Sequence, residues 1–150
     1  MAMHGESLRK AVNGGKWREY LAAEFHCHGS RPFYPRRAIR DKRYKLIQNV
    51  LAGKAKPSTG IDGDFAYAIS REASYEGTAT RKAFDTFAEP PEFELYDLSK
   101  DPVEFVNLAG KPELAVVEKR MKDALLRWRK ESNDPFLDLA FVEKIGKQAR

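Results

Sequence analysis

The segment His26-Cys27-His28 holds residue types that can bind a metal ion. It ends an apolar run, Tyr20–His26, that predicts a buried strand. On a strand the two histidines share one face and Cys27 points to the other. No neighbouring cluster of Asp, Glu or His completes a coordination shell, so the sequence favours packing or polar contacts here over a metal.

A second group of candidate functional residues is basic and follows this segment closely. Arginine binds sulfate and carboxylate groups through paired hydrogen bonds, so such a group can form an anion site. Strand alternation divides the set between two faces, which favours a solvated hairpin, with sulfated glycan and nucleic acid as alternative ligands. No aromatic stacking platform accompanies it, which disfavours nucleic acid. The members are Arg31, Arg36, Arg37, Arg40, Lys42, Arg43 and Lys45.

Composition narrows the class of protein and its partners. A chain of 150 residues is long enough for one domain with its own core. Its net charge of +5 favours an anionic partner such as nucleic acid, an acidic membrane or a sulfated polysaccharide. The single cysteine excludes an internal disulfide. No segment approaches the roughly 18 apolar residues of a membrane span. Residues 1–20 show no secretory signal, and localisation stays unknown.

Alternating apolar residues predict an antiparallel sheet that positions these groups. Arg37–Arg40 and Tyr44–Val50 read as the two arms of a hairpin around Asp41-Lys42-Arg43. Phe93–Leu98 alternates in the same way. With the run at Tyr20–His26, the sheet has about four strands.

Short helices are predicted at Glu6–Val12, Asp64–Arg71 and Thr80–Phe87. Another is predicted to start at Asp101, which can cap a helix whose first position suits Pro102. Glu104 can then reach back, as in a capping box. Gly110 permits the left-handed turn that ends this piece.

The longest predicted helix runs from Pro112 to about Asn133 and is amphipathic. Its apolar residues recur every three or four positions and form one stripe, while the opposite face is charged. The stripe consists of Leu114, Val117, Met121, Leu125 and Trp128. Such a helix needs a sheet to cover, so the sequence predicts an α+β fold, with a small antiparallel sheet packed against a long C-terminal amphipathic helix.

Several motifs occur in a specific order along the chain. Tyr34-Pro35 precedes Arg37 and Arg40, and ELYDLSKDPVEFVNL runs from Glu94 to Leu108. The predicted long helix closes on Trp128, Glu131 and Asp134-Pro135-Phe136. Together with HGESL and WREYLAAEFHCHG, these motifs resemble the C-terminal region of the formylglycine-dependent sulfatases, most of all the branch acting on N-sulfated glucosamine. The resemblance covers about residues 5–136.

The resemblance implies what the chain does and what it lacks. Sulfatases hydrolyse sulfate groups of sugars with calcium and formylglycine, which belong to a large N-terminal catalytic domain. This chain is therefore expected to lack the nucleophile and the metal site, to need a sulfatase catalytic domain as partner, and to be inactive alone. The whole enzyme would act on a sulfated sugar and be periplasmic, secreted or lysosomal.

The segment Cys27-His28-Gly29-Ser30-Arg31 differs from the sulfatase nucleophile motif C-x-P-S-R only at its third position. Gly29 replaces the proline that the modifying enzyme reads. No adjacent pair of aspartates precedes Cys27. The segment also aligns with a strand that follows the catalytic core in the family. We therefore predict that Cys27 is not a nucleophile and that the chain holds no catalytic residue.

The resemblance also suggests substrate contacts and a division of the chain. The segment around His26 would reach the rim of the substrate pocket, which implies contacts to the sugar from Glu24, His26, His28 and Arg36. Residues 1–30 would end the catalytic domain, 31–136 would form the C-terminal subdomain and 137–150 a tail. The alternative is a free-standing basic module that binds a polyanion. An apolar edge at residues 20–35 predicts self-association.

Overall fold

The computed structural model describes residues 7–27, 32–57 and 64–148. Four strands form one antiparallel sheet in the order β1-β2-β3-β4. The strands are β1 Leu21–Phe25, β2 Arg36–Arg40, β3 Tyr44–Asn49 and β4 Phe93–Asp97. The α-helices are α1 Arg9–Val12, α2 Asp64–Ser70, α3 Ala79–Ala88, α4 Ala115–Glu131 and α5 Leu139–Gln148. The predicted α+β class and the four-stranded sheet are confirmed.

The β2–β3 hairpin forms where the alternation predicted it. Asp41 Oδ1 accepts hydrogen bonds from the backbone nitrogens of Arg43 at 2.7 Å and Tyr44 at 2.6 Å. This aspartate turn fixes the pairing of Arg40 with Lys45. A single register follows, with Ile39 beside Leu46 on the face that carries the main core.

Helix α4 covers that face and confirms the predicted amphipathic helix. A short 3₁₀ turn at Pro112–Leu114 leads into it. Met121 and Leu125 are fully buried against Ile39, Leu46 and Leu95 of the sheet. The remaining stripe residues pack at the margin of this core: Leu114, Val117 and Trp128.

A second, smaller core lies beyond the C-terminal end of α4. It gathers the buried side chains of Tyr34, Leu51, Phe136 and Val142. Val142 belongs to α5, which forms within the segment predicted as a tail. Helix α5 is thereby packed against the segments that precede β2 and follow β3.

Two predictions of local structure are wrong. All five residues of β1 are exposed, because α4 lies over β2 and β3 and leaves this outer strand uncovered. Asp101–Glu104 starts no helix, because Glu104 adopts a left-handed conformation with φ 60°. The Asp101 Oδ2 atom instead accepts a hydrogen bond from the backbone nitrogen of Val106 at 2.8 Å. Gly110 does make the expected left-handed turn, with φ 79°.

Helices α2 and α3 form a hairpin near their predicted positions, and Gly77 turns the chain between them with φ 75°. Thr78 caps α3 by accepting a hydrogen bond from the Arg81 backbone nitrogen at 3.1 Å. Across the described ranges, no helix has the length and apolar character needed to cross a membrane.

Candidate substrate-contact site

Three of the four predicted substrate-contact residues lie at one end of the sheet. Glu24 is near the C-terminal end of β1, His26 follows that strand, and Arg36 begins β2. Antiparallel pairing places Phe25 beside Arg36, so these ends coincide. His28 lies outside the described residues.

Glu24 and His26 are brought together. The Glu24 Oε2 atom is 3.8 Å from His26 Nε2 and 3.7 Å from Arg37 Nη2. The Glu24 side chain is 55% exposed, whereas the Arg37 side chain is 0% exposed. The Glu24 carboxylate is therefore open to solvent on one side and lies next to the buried Arg37 guanidinium on the other.

Arg36 points away from this pair. Its register partner on β1 is Phe25, and strand alternation directs both side chains to the sheet face opposite α4. The Arg36 guanidinium lies over the rings of Tyr34, at 5.4 Å, and Phe87, at 5.8 Å. The sheet thus separates Arg36 from Glu24 and His26, which share the side of α4.

A buried ion network supports this end of the sheet. Arg37 donates from Nε to Asp134 Oδ2 at 2.9 Å and from Nη2 to Asp134 Oδ1 at 2.8 Å. Arg129, at the end of α4, donates from Nε to the same Oδ2 at 2.7 Å and from Nη1 to Gln48 Oε1 at 2.7 Å. One carboxylate thus ties β2 to α4 through charge-assisted hydrogen bonds from two guanidinium groups.

Asp134 also organises the turn that follows α4. Its Oδ1 accepts a hydrogen bond from the Phe136 backbone nitrogen at 3.0 Å. Burial alone would raise the pKa of Asp134, but hydrogen bonds from Arg37 and Arg129 outweigh it and hold the pKa at about 2. The Phe136 ring then lies 4.9 Å from the His26 ring and 4.8 Å from the Arg37 guanidinium. Asp134 therefore positions, through Phe136, the ring that His26 packs against.

A cleft of about 580 Å³ opens at the same end of the sheet. It lies between the ends of β3 and β4 and the C-terminal half of α4. Arg129 belongs both to its lining and to the ion network, and Phe136 also lines it. The other charged lining residues are Lys54, Glu92, Lys122 and Asp123, so both signs of charge are present. Its polar lining of mixed charge is compatible with a hydroxyl-rich ligand.

The basic set of the hairpin is largely compensated within the protein. Arg43 Nη2 lies 2.8 Å from Asp97 Oδ2, and Lys45 Nζ lies 2.6 Å from Glu104 Oε2. Arg37 is buried, so the prediction that it is a solvated hairpin residue is wrong. Arg40 and Lys42 are exposed, and Arg31 lies outside the described ranges. The hairpin therefore does not present its cations as one anion-binding face.

The family resemblance implies calcium and formylglycine for a full sulfatase, so the residues here must be tested against both. In residues 7–27, 32–57 and 64–148, no group of three or more His, Cys, Asp or Glu side chains is placed to hold a metal. Cys27 is an exposed free thiol. These residues do not provide the oxygen-rich ligand set that calcium prefers.

Sequence reasoning missed the partnership that builds this site. Arg37 and Asp134 are 97 positions apart, and no local pattern links them. The available signal was the Asp-Pro pair at 134–135, which is typical of a capped turn. It predicts the hydrogen bond to Phe136, but neither arginine.

Comparisons with known proteins indicate the class of protein to which this chain is similar. No family model matches the chain. Its fold is similar to that of a solved 2-O GAG sulfatase, with a TM-score of 0.56 and 22% identity over 89% of this chain and 21% of that one. That likeness shows the fold alone. Together with the sequence matches below, it places the chain with the C-terminal region of the sulfatases, as the motifs predicted.

The particular relatives are both sulfatases. The chain is 28% identical to N-sulphoglucosamine sulphohydrolase of Homo sapiens over 97% of its own length and 30% of that protein. It is 34% identical to an ulvan-active sulfatase of Formosa agariphila over 67% of its length and 18% of that protein. The chain therefore spans less than a third of either relative.

Proposed function

We propose that this chain acts as the C-terminal subdomain of a sulfatase, of the heparan N-sulfatase type, that hydrolyses the N-sulfate or O-sulfate of a glycosaminoglycan-type sugar. The observation that carries the proposal is the match across 97% of the chain to a sulphoglucosamine sulphohydrolase more than three times as long. On this proposal the catalytic domain supplies nucleophile and calcium, and this chain alone is inactive. Its task is to complete the rim of the substrate pocket.

The arrangement of Glu24 and His26 supports a role at that rim. Both side chains are partly open to solvent at the strand end, and the buried Arg37 and Phe136 hold them. A carboxylate that accepts hydrogen bonds suits sugar hydroxyl groups. The His26 Nε2 atom is buried, so His26 would contact the sugar through its other ring atoms. Arg36, on the other sheet face, would contact the sugar only if the ligand wraps around the sheet end. His28 stays a predicted contact.

The first test is to read the coding DNA immediately upstream of this chain. The proposal expects an in-frame adjacent Asp pair and a C-x-P-S-R motif, or a separate neighbouring gene that encodes them. An upstream stop codon with no such gene nearby counts against it.

The substrate contacts are tested in the complete enzyme. Glu24→Gln should raise KM for an N-sulfated glucosamine substrate and leave kcat within a few-fold, because Glu24 would touch the sugar away from the reacting sulfur. Glu113→Gln, at an exposed carboxylate in the turn that opens α4 and at the other end of that helix from Arg129, is the matched control and should change neither constant. An unchanged KM in Glu24→Gln removes this residue from the site.

The alternative function is a free-standing module that binds a polyanion, favoured by the net charge of +5. Binding of the isolated chain to heparin and to duplex DNA, measured over a range of salt concentrations, separates the two functions. A free-standing module should bind with a steep salt dependence. The sulfatase subdomain should bind both weakly, because Arg43, Lys45 and Arg120 are each paired with a carboxylate and form no continuous cationic face.

A further inference from the structure

Strand β1 presents an open sheet edge. It pairs with β2 on one side, and in the described part of the chain no strand adjoins its other side. Leu21 is 54% exposed and Phe25 is 49% exposed. The strand contains no lysine, proline or bulge, and its single charged residue, Glu24, has the buried Arg37 3.7 Å away as a partner, so one charge is all that protects this edge from pairing with another chain.

The sequence of this edge is complementary to itself. In an antiparallel pair centred on Ala23, Leu21 of one copy stands opposite Phe25 of the other, and Ala22 stands opposite Glu24. The first pair is apolar on both sides, and no two like charges are opposed. Cross-strand pairs of this kind are the unit that stabilises an antiparallel sheet.

A groove beside the strand provides room for the second copy. It has a volume of about 450 Å³ and lies between β1 and α4, with Ala22, Ile39, Ala124 and Trp128 in its lining. Ala22 and Glu24 have Ile39 and Arg37 as register partners, so both side chains face α4. Glu24 of the second copy would therefore point toward this groove, whose charged lining residues are Arg18, Glu19, Arg127 and Glu131, so that a pairing with Arg127 has to compete with two carboxylates.

From these three observations we propose that two copies of this chain associate through β1, pairing antiparallel about Ala23 to form one continuous eight-stranded sheet. The two-fold axis lies perpendicular to the sheet, so both α4 helices occupy the same face. This makes the self-association expected from residues 20–35 specific in strand, register and symmetry. It goes beyond the proposed function, which sulfate release tests separately.

The test measures the mass of the purified chain in solution by analytical ultracentrifugation. The wild-type chain should form dimers. Ala23→Lys should raise the dissociation constant of the dimer by about tenfold or more, because two lysines would face each other at the axis. Val116→Lys adds the same charge at an exposed position of α4, outside the paired strand, and should leave the dimer unchanged. Leu21→Lys is a second variant at the edge, and circular dichroism shows that each variant is folded.

A charge exchange tests the register itself. Ala23→Lys and Ala23→Glu should each be monomeric, whereas an equimolar mixture should recover the dimer because opposite charges then meet at the axis. Three results would overturn the proposal: a monomeric wild-type chain, dimers unaffected by Ala23→Lys, or a mixture that stays monomeric. A monomeric wild-type chain that instead binds a sulfatase catalytic domain through β1 would assign the edge to that partner.

Discussion

The two outer strands of the sheet are treated in opposite ways. At β4, a side chain replaces the missing neighbour strand: Asn107 Oδ1 accepts a hydrogen bond from the Leu95 backbone nitrogen at 2.9 Å, and its Nδ2 donates to the Phe93 carbonyl at 3.3 Å. The Leu108 backbone nitrogen donates to the Leu95 carbonyl at 2.8 Å. At β1 every residue is exposed, and the described residues provide no such substitute.

This difference indicates that the β4 edge is complete within the chain, whereas the β1 edge can bind another chain. A closed edge saturates its backbone groups within the chain and resists added strands. An open, apolar edge leaves its backbone groups unpaired and can accept a strand from another chain. The predicted sugar contacts Glu24 and His26 lie on or next to the open strand, so the side available to a partner is also the side proposed to meet substrate.

The largest expected effect on the free energy of unfolding is in the core under α4, between the two edge strands. Leu125 is buried where α4 covers the sheet, so Leu125→Ala should lower the free energy of unfolding by about 3 kcal/mol. The neighbouring and exposed Leu126 is the matched control, and Leu126→Ala should cost within about 0.5 kcal/mol. Urea unfolding measures both. Equal costs would mean that α4 does not dock on the sheet as described.

Opening the closed edge should come next. Asn107→Ala removes the two hydrogen bonds to β4 and leaves a backbone donor and acceptor unpaired, which should cost about 2 kcal/mol. The variant should also self-associate more than wild type, because it exposes a second edge. Lys82→Ala, on the exposed side of α3, serves as the control. A variant as stable as wild type would show that Asn107 does not close this edge.

Low pH should weaken the ion network of Arg37, Asp134 and Arg129, which lies next to β1. The pKa of Asp134 in the folded chain is about 2, below its ordinary value of 3.8. The resulting stabilisation, about 2 kcal/mol, is present above pH 4 and is lost as the pH falls toward 2. Asp97 also has a lowered pKa, because Arg43 and Ser99 donate to it, so total stability falls further. The difference between wild type and Asp134→Asn, followed by urea unfolding at each pH, isolates the first contribution. A difference that is constant from pH 5 to pH 2 would contradict it.

The smallest effect on stability is expected at the open edge itself. Phe25→Ser removes an exposed ring, so the isolated chain should unfold within about 0.5 kcal/mol of wild type at concentrations where it is monomeric. Its solubility should nevertheless rise, because the apolar face of the edge shrinks. Thermal unfolding and light scattering measure the two quantities. A large loss of stability would mean that Phe25 packs within the monomer.

Local patterns predicted much of this fold, and the failures have physical causes. The Asp41 turn and the stripe through Met121 and Leu125 depend on neighbours in sequence, and both are confirmed. The exposure of β1 depends on where α4 lies, which no local pattern specifies. The site depends on Arg37 meeting Asp134 across 97 positions, and the motif that misled at Asp101–Glu104 competes with the pairing of Glu104 and Lys45.

The most direct test of the central claim is sulfate release by the isolated chain. The chain is produced together with a formylglycine-generating enzyme, supplied with calcium, and incubated with N-sulfoglucosamine and with an aryl sulfate. No release above a blank without protein is expected if, as proposed, the nucleophile and the calcium ligands belong to a partner domain. Sulfate release that Cys27→Ala abolishes would contradict the account, since Cys27 would then be a working nucleophile.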